Sequence, residues 1–147
     1  MADDRLRSVS IERIGLARYR ATNVRGGTFE FGEGGDGTSF TAIELLLTAL
    51  AGCSSADVDY ITNRRAEPES FGAEARGRKV RDQLGNRLVD LELVFRVRFP
   101  QGEAGDAARQ VLPIAVAQSH DRLCSVTRTL EAPSPVSVRI ESPYGKL

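Results

Sequence analysis

Apolar residues recur along this chain with two different periods, and the change from one to the other outlines its elements. Between residues 41 and 64 they recur at helical spacing. Ile43, Leu46, Leu47, Leu50 and Cys53 fall on one stripe, which Leu45 and Ala49 widen. The first half of this predicted helix is apolar nearly all round, as in a helix buried in a core or between two subunits. Thr41 and Glu44 have the T-x-x-E spacing of a capping box, in which each side chain satisfies a backbone donor of the other. Phe40 and Leu45 are placed for a hydrophobic staple. Between Val89 and Phe99 the period is two. Val89, Leu91, Leu93, Phe95, Val97 and Phe99 alternate with Asp90, Glu92, Arg96 and Arg98, and Val94 is the apolar intruder. That alternation predicts a half-buried antiparallel strand.

The remaining segments fill in around these two. Residues 1–7 read as a loose, charged start, and residues 9–21 as one or two strands. Asn23-Val24-Arg25-Gly26-Gly27 is a turn signal before a short strand, Thr28–Phe31. Residues 32–37 hold four glycines and form a loop. It is not a phosphate loop, because no Gly-Lys-Ser/Thr follows and its acidic residues would repel phosphate. After the helix and Pro68, Ser70 to Arg81 predicts a strand with Phe71, Ala73, Ala75 and Gly77 on one face, and Asp82 to Asn86 a hairpin turn. Glu103 to Ser119 is helical by composition, with Pro113 expected to kink it or cut it short. Cys124 sits at a helix junction, Ser125 to Glu131 predicts a short helix, and Ser134 to Glu141 a last strand with Val136, Val138 and Ile140 on one face. Hairpins around one long helix make an α+β fold.

Length and charge narrow the classes. At 147 residues the chain is expected to be one domain, residues 1–147. Acidic and basic residues balance at 20 each, which argues against general nucleic-acid binding. No apolar run approaches the ~18 residues of a membrane span, and the polar N-terminus has no signal-peptide core. The expected compartment is the cytosol, where the two cysteines are reduced and are buried, metal-binding or redox-active rather than a structural staple.

Candidate nucleophiles are few. Cys53 lies mid-helix on an apolar stripe, where a free cysteine is commonly a small buried hydrophobe. Asp57, one turn on, has the wrong charge to activate a thiolate, so a reactive Cys53 needs a cation from elsewhere. His120, the only histidine, precedes Cys124 by four residues. A Cys–His pair for acyl transfer is conceivable, as is a zinc site from Cys53, Cys124 and His120, but neither an oxyanion hole nor a C-x-x-C cluster is marked. The plainer reading of His120 is a polar residue closing a helix. Arg25, in a glycine-flanked turn, is placed where a side chain can be aimed at a site.

Glu44-Leu45-Leu46-Leu47-Thr48-Ala49-Leu50-Ala51-Gly52-Cys53-Ser54, taken with Cys124-Ser125-Val126 on a later helix, resembles the OsmC/Ohr family of osmotically induced and organic-hydroperoxide-resistance proteins. The resemblance extends to element order and chain length. It implies an intertwined homodimer, with two central helices wrapped by antiparallel sheets built from both chains. It implies a thiol peroxidase acting on organic hydroperoxides in the oxidative stress response, without metal or organic cofactor. Cys53 would become a sulfenic acid, Cys124 would resolve it to a disulfide, and an external dithiol, often a lipoyl group, would reduce it. Arg25 would lower the pKa of Cys53, favouring its thiolate, and orient the peroxide. Leu46, Leu50 and Phe29 would wall an alkyl chain, with Glu44 among the substrate-binding residues. In the family a glutamate ten residues before the first cysteine holds the arginine; here that position is Ile43. Glu44, nine before, lies on the opposite side of the helix and ~13 Å along it, so only a copy from the partner subunit could approach Cys53. The pattern is closer to a branch whose substrate is unsettled. Loss of that glutamate favours the alternative, a non-catalytic dimeric protein binding a small apolar ligand at the subunit interface.

Overall fold

The computed structural model describes residues 5–143 and has the expected α+β architecture, with five strands and three α-helices among the described residues. The chain divides into two compact units. One comprises the chain through Ala49 with Ala75–Leu91; the other comprises Leu50–Glu74 and the chain from Glu92 onward. The long helix and one hairpin contribute to both.

In the first unit, β1 (Val9–Gly15), β2 (Arg18–Asn23) and β3 (Thr28–Gly32) form an antiparallel sheet in that order. The register sets Glu12 opposite Arg20 and Arg20 opposite Glu30, and Arg20 bridges both carboxylates at 2.8 and 3.1 Å. These pairs are exposed and screened by water, so they add little stability. They fix which face is polar. The other face carries Ile11, Ala21 and Phe29 in one row and Tyr19 beside Phe31 in the next. Gly32 ends β3 at φ 135°, and a Cβ there would lie 2.1 Å from the Ala17 carbonyl oxygen, so only glycine fits. Its N–H donates to Phe40 O at 2.9 Å and closes the glycine-rich loop, while Arg18 Nη1 donates to Gly34 O at 3.3 Å.

Helix α1 (Ala42–Asn63) begins at the capping box read from the sequence. Thr41 N–H donates to Glu44 Oε2 at 3.3 Å and Glu44 N–H to Thr41 Oγ1 at 3.2 Å. The hairpin of β4 (Ser70–Asp82) and β5 (Gly85–Arg98) turns where Asp82 accepts from Leu84 N–H at 2.9 Å and from Arg87 Nη2 at 2.7 Å. Toward its open end, Glu74 pairs with Arg96 and Glu69 with Arg98, and Phe71 meets Phe95 edge-on.

The second unit holds α2 (Glu103–Gln118), a π-helical turn (Ser119–Leu123) and α3 (Ser125–Glu131). Phe99, Val58, Ala108, Ala115 and Cys124 form its buried apolar centre. A Cβ at Gly105 would lie 1.7 Å from the Pro100 carbonyl oxygen, which is why a glycine occupies the first turn of α2.

Three expectations are corrected. The buried stripe of α1 is Leu50, Ser54, Val58 and Thr62, spaced by four, whereas Ile43 and Leu46 are 37% and 40% exposed. Within one chain, the apolar first half of the helix is not covered. Pro113 does not end α2, which runs on to Gln118. The proline stands on the exposed face, where water can take the carbonyl it leaves unpaired. Ser134–Glu141 forms no strand; Val136, Val138 and Ile140 are 88%, 87% and 78% exposed. Alternation supplies a face for a strand but not the neighbouring edge that a strand needs.

Candidate functional site

The two cysteines, both free, meet in the second unit. Cys53 is half-buried on α1, and Cys124 is completely buried as the N-cap of α3. The two thiols lie within hydrogen-bonding reach of each other. Cys124 stands at the helix junction expected from the sequence, immediately before α3. Its sulfur takes the place that a Ser or Thr oxygen ordinarily fills at a cap, accepting from Thr127 N–H at 3.4 Å. Its own N–H donates to Ser119 O at 2.9 Å, five residues back, across the π turn. Single-turn π segments of this kind recur at functional sites.

Two residues that sequence reasoning missed complete the arrangement. Ser54, adjacent to Cys53 and 3% exposed, donates its hydroxyl to Cys124 Sγ at 3.2 Å. Ser119, 1% exposed, donates to Asp57 Oδ2 at 2.9 Å. The available signal was Ser54 and Thr62 on the α1 stripe of every fourth residue, since buried polar residues require partners.

The local electrostatics separate the two sulfurs. Burial pushes the Cys53 thiol above its ordinary value; the Val126 and Ser125 N–H groups oppose this, and the hydrogen bond to Cys124 reinforces it. Burial also pushes the Cys124 thiol up, but hydrogen bonds from Ser54, from Thr127 and from Cys53 outweigh it and hold the thiol below its ordinary value. Cys53 is the more accessible sulfur, and Cys124, the sealed one, is the acceptor of the Ser54 and Thr127 hydrogen bonds.

The other candidates lie as follows. Leu50 is 5% exposed in the second unit. Arg25, Glu44, Leu46 and Phe29 belong to the first. Arg25 is exposed in the turn after β2, where Asn23 Oδ1 accepts from the Arg25 and Gly27 N–H groups at 2.9 and 3.0 Å. It borders a depression of about 610 Å³ together with Arg7, Val9 and Val24. Glu44 caps α1, and Phe29 stacks at a tilt on Phe31. His120 engages both ring nitrogens with carboxylates, Asp121 at 2.7 Å and Glu131 at 3.0 Å, so it ties the π turn to α3 and is not committed to Cys124. Among the described residues, no group of three or more His, Cys, Asp or Glu side chains could hold a metal ion. No described helix is long and apolar enough to cross a membrane.

The pattern of the OsmC-like protein family matches residues 35–139, well over half of the chain and inclusive of both cysteines. The chain belongs to the OsmC-like protein family. Solved structures place this OsmC-like chain in the same fold at low sequence identity. A hypothetical protein from Aquifex aeolicus VF5 superposes with a TM-score of 0.70 at 19% identity, covering 88% of this chain and 90% of that one. An OsmC-like protein of unknown function from Vibrio cholerae O1 biovar eltor gives 0.69 at 14%, covering 89% and 95%. An organic hydroperoxide resistance protein from Legionella pneumophila, described also as a predicted redox protein, gives 0.56 at 12%, covering 88% and 91%. Comparison with curated proteins finds no match.

Proposed function

We propose that this OsmC-like chain is a homodimeric, cysteine-based thiol peroxidase that reduces organic hydroperoxides, acting as a single domain without metal or organic cofactor. One observation carries the reading: a half-buried Cys53 beside a sealed Cys124 whose sulfur accepts hydrogen bonds from Ser54 and Thr127. Membership in a family that includes the Legionella hydroperoxide resistance protein supports the choice of substrate class. Cys53 Sγ attacks the distal peroxide oxygen, the O–O bond breaks and an alcohol leaves. Cys124 Sγ then displaces hydroxide from the Cys53 sulfenic acid, and an external dithiol, a lipoyl group among the candidates, reduces the disulfide. In this reading Arg25 supplies positive charge, Glu44 from the partner subunit steadies it, and Leu46, Leu50 and Phe29 receive the alkyl group.

The uncovered apolar residues Ile43 and Leu46 on α1 and Val9 and Ile11 on the sheet support the homodimer. The alternative of a non-catalytic binding protein at the subunit interface would leave the thiols as mere lining, and the contact between the two sulfurs favours the redox reading. Consumption of cumene hydroperoxide in the presence of a dithiol tests it. Turnover that disappears in Cys53→Ser supports the proposal, and a rate equal to that of the dithiol alone rejects it.

A further inference from the structure

The reaction proposed above leaves one question of proton traffic open, and the inference here rests on that reaction. Cys53 must attack as a thiolate, yet burial favours its neutral form. Cys124 has no exposure and is closed to a peroxide, but its sulfur receives the Ser54 hydroxyl at 3.2 Å and the Thr127 N–H at 3.4 Å. Ser54 is itself 3% exposed, so water competes little for its hydroxyl. Hydrogen bonds to an ionised acceptor are about twice as strong as neutral ones. The nearest carboxylate along α1, Asp57, is engaged by Ser119.

We propose that Ser54 is a positioning residue for the cysteine pair: its hydroxyl, donated to Cys124 Sγ, keeps that sulfur ionised so that Cys124 receives the proton of Cys53 as Cys53 attacks. The two sulfurs thus hold one proton between them. In the first step the Cys53 S–O bond forms, the O–O bond breaks and two electrons pass from sulfur to peroxide. The departing alkoxide takes a proton from water, and the Cys53 proton moves to Cys124. In the second step the S–S bond forms and the S–O bond breaks, and the proton on Cys124 leaves with hydroxide as water. When a dithiol attacks the Cys53 sulfur of the disulfide, Cys124 departs as a thiolate into the same hydrogen bonds, a better leaving group for being stabilised. The second thiol of the reductant then expels Cys53.

The test is a pH titration of thiolate ultraviolet absorbance in the fully reduced protein, which requires no peroxide. With Ser54 in place one thiolate per chain forms first. Ser54→Ala raises that first midpoint by about one pH unit or more, a tenfold weaker acid, and Ser54→Thr keeps it low. The same shift persists on a Cys53→Ala background, where Cys124 is the remaining thiol. Should Ser54→Ala fail to fold, the Ser54→Thr and Ser54→Val pair makes the comparison at nearly constant shape. A midpoint indifferent to the hydroxyl overturns the assignment. Absence of hydroperoxide turnover alongside a hydroxyl-dependent midpoint would reject the peroxidase reading and leave the role of Ser54 standing.

Discussion

Ser119 Oγ donates to Asp57 Oδ2 at 2.9 Å, joining the π turn to α1 one helical turn beyond Cys53. The same Ser119 accepts the Cys124 N–H through its carbonyl at 2.9 Å, so one buried residue holds both the helix of one cysteine and the backbone of the other. Ser119→Ala deletes the donor and leaves the half-buried Asp57 carboxylate short of a partner. The expected cost is about 1–3 kcal/mol, read from the denaturant midpoint. In Asp57→Ala/Ser119→Ala the loss is smaller than the sum of the single losses, because the stranded group is gone.

Gly105 offers a test whose sign differs from helix propensity. By propensity alone Gly→Ala in a helix stabilises by about 1 kcal/mol. Here the new methyl would stand 1.7 Å from Pro100 O, a backbone atom that cannot turn away. Gly105→Ala therefore lowers the thermal midpoint. A rise would mean that the junction between β5 and α2 yields at little cost.

The His120 clamp carries a pH signature. The Asp121 carboxylate raises the His120 value most, burial opposes it, and Glu131 adds to the rise, so the net direction is up. A folded value above the unfolded one means that the clamp stabilises fully below about pH 6.5, the unfolded value. That contribution is lost as pH rises through the raised folded value. His120→Gln should therefore destabilise the protein in acid and converge with wild type in alkali, measured by denaturant midpoints across pH. A difference that grows with pH contradicts the clamp.

The uncovered face of α1 leads to a prediction about assembly. Leu46 is 40% exposed in a helix otherwise apolar around its first half. Sedimentation velocity should give twice the chain mass for wild type and a shift toward the single chain for Leu46→Glu. A wild-type protein that sediments as a single chain at micromolar concentration removes the basis for a shared site.

What could be read from the sequence followed from how local each determinant is. The Thr41–Glu44 box and the Asp82 turn are set by side chains within five residues of one another, and both were foreseen in place. The alternation of β4 and the start and end of α3 were likewise written in local pattern. Pro113 does not cut α2 short, because what a helical proline costs depends on exposure, which the local pattern leaves open. Val136, Val138 and Ile140 misled because a strand requires a neighbour, which alternation does not provide. The cysteine pair could be named through the family pattern. Ser54 and Ser119 could not, since their partners Cys124 and Asp57 are brought to them by tertiary packing, 70 and 62 residues away.

The central claim is that Cys53 and Cys124 act as one redox pair, and thiol counting tests it most directly. Reduced protein is given one equivalent of cumene hydroperoxide per chain, and free thiols are then counted under denaturing conditions. The account predicts loss of both thiols and a peptide map with Cys53 joined to Cys124. It also predicts that Cys124→Ser stops at a trappable sulfenic acid on Cys53. Two intact thiols per chain after that dose would contradict it.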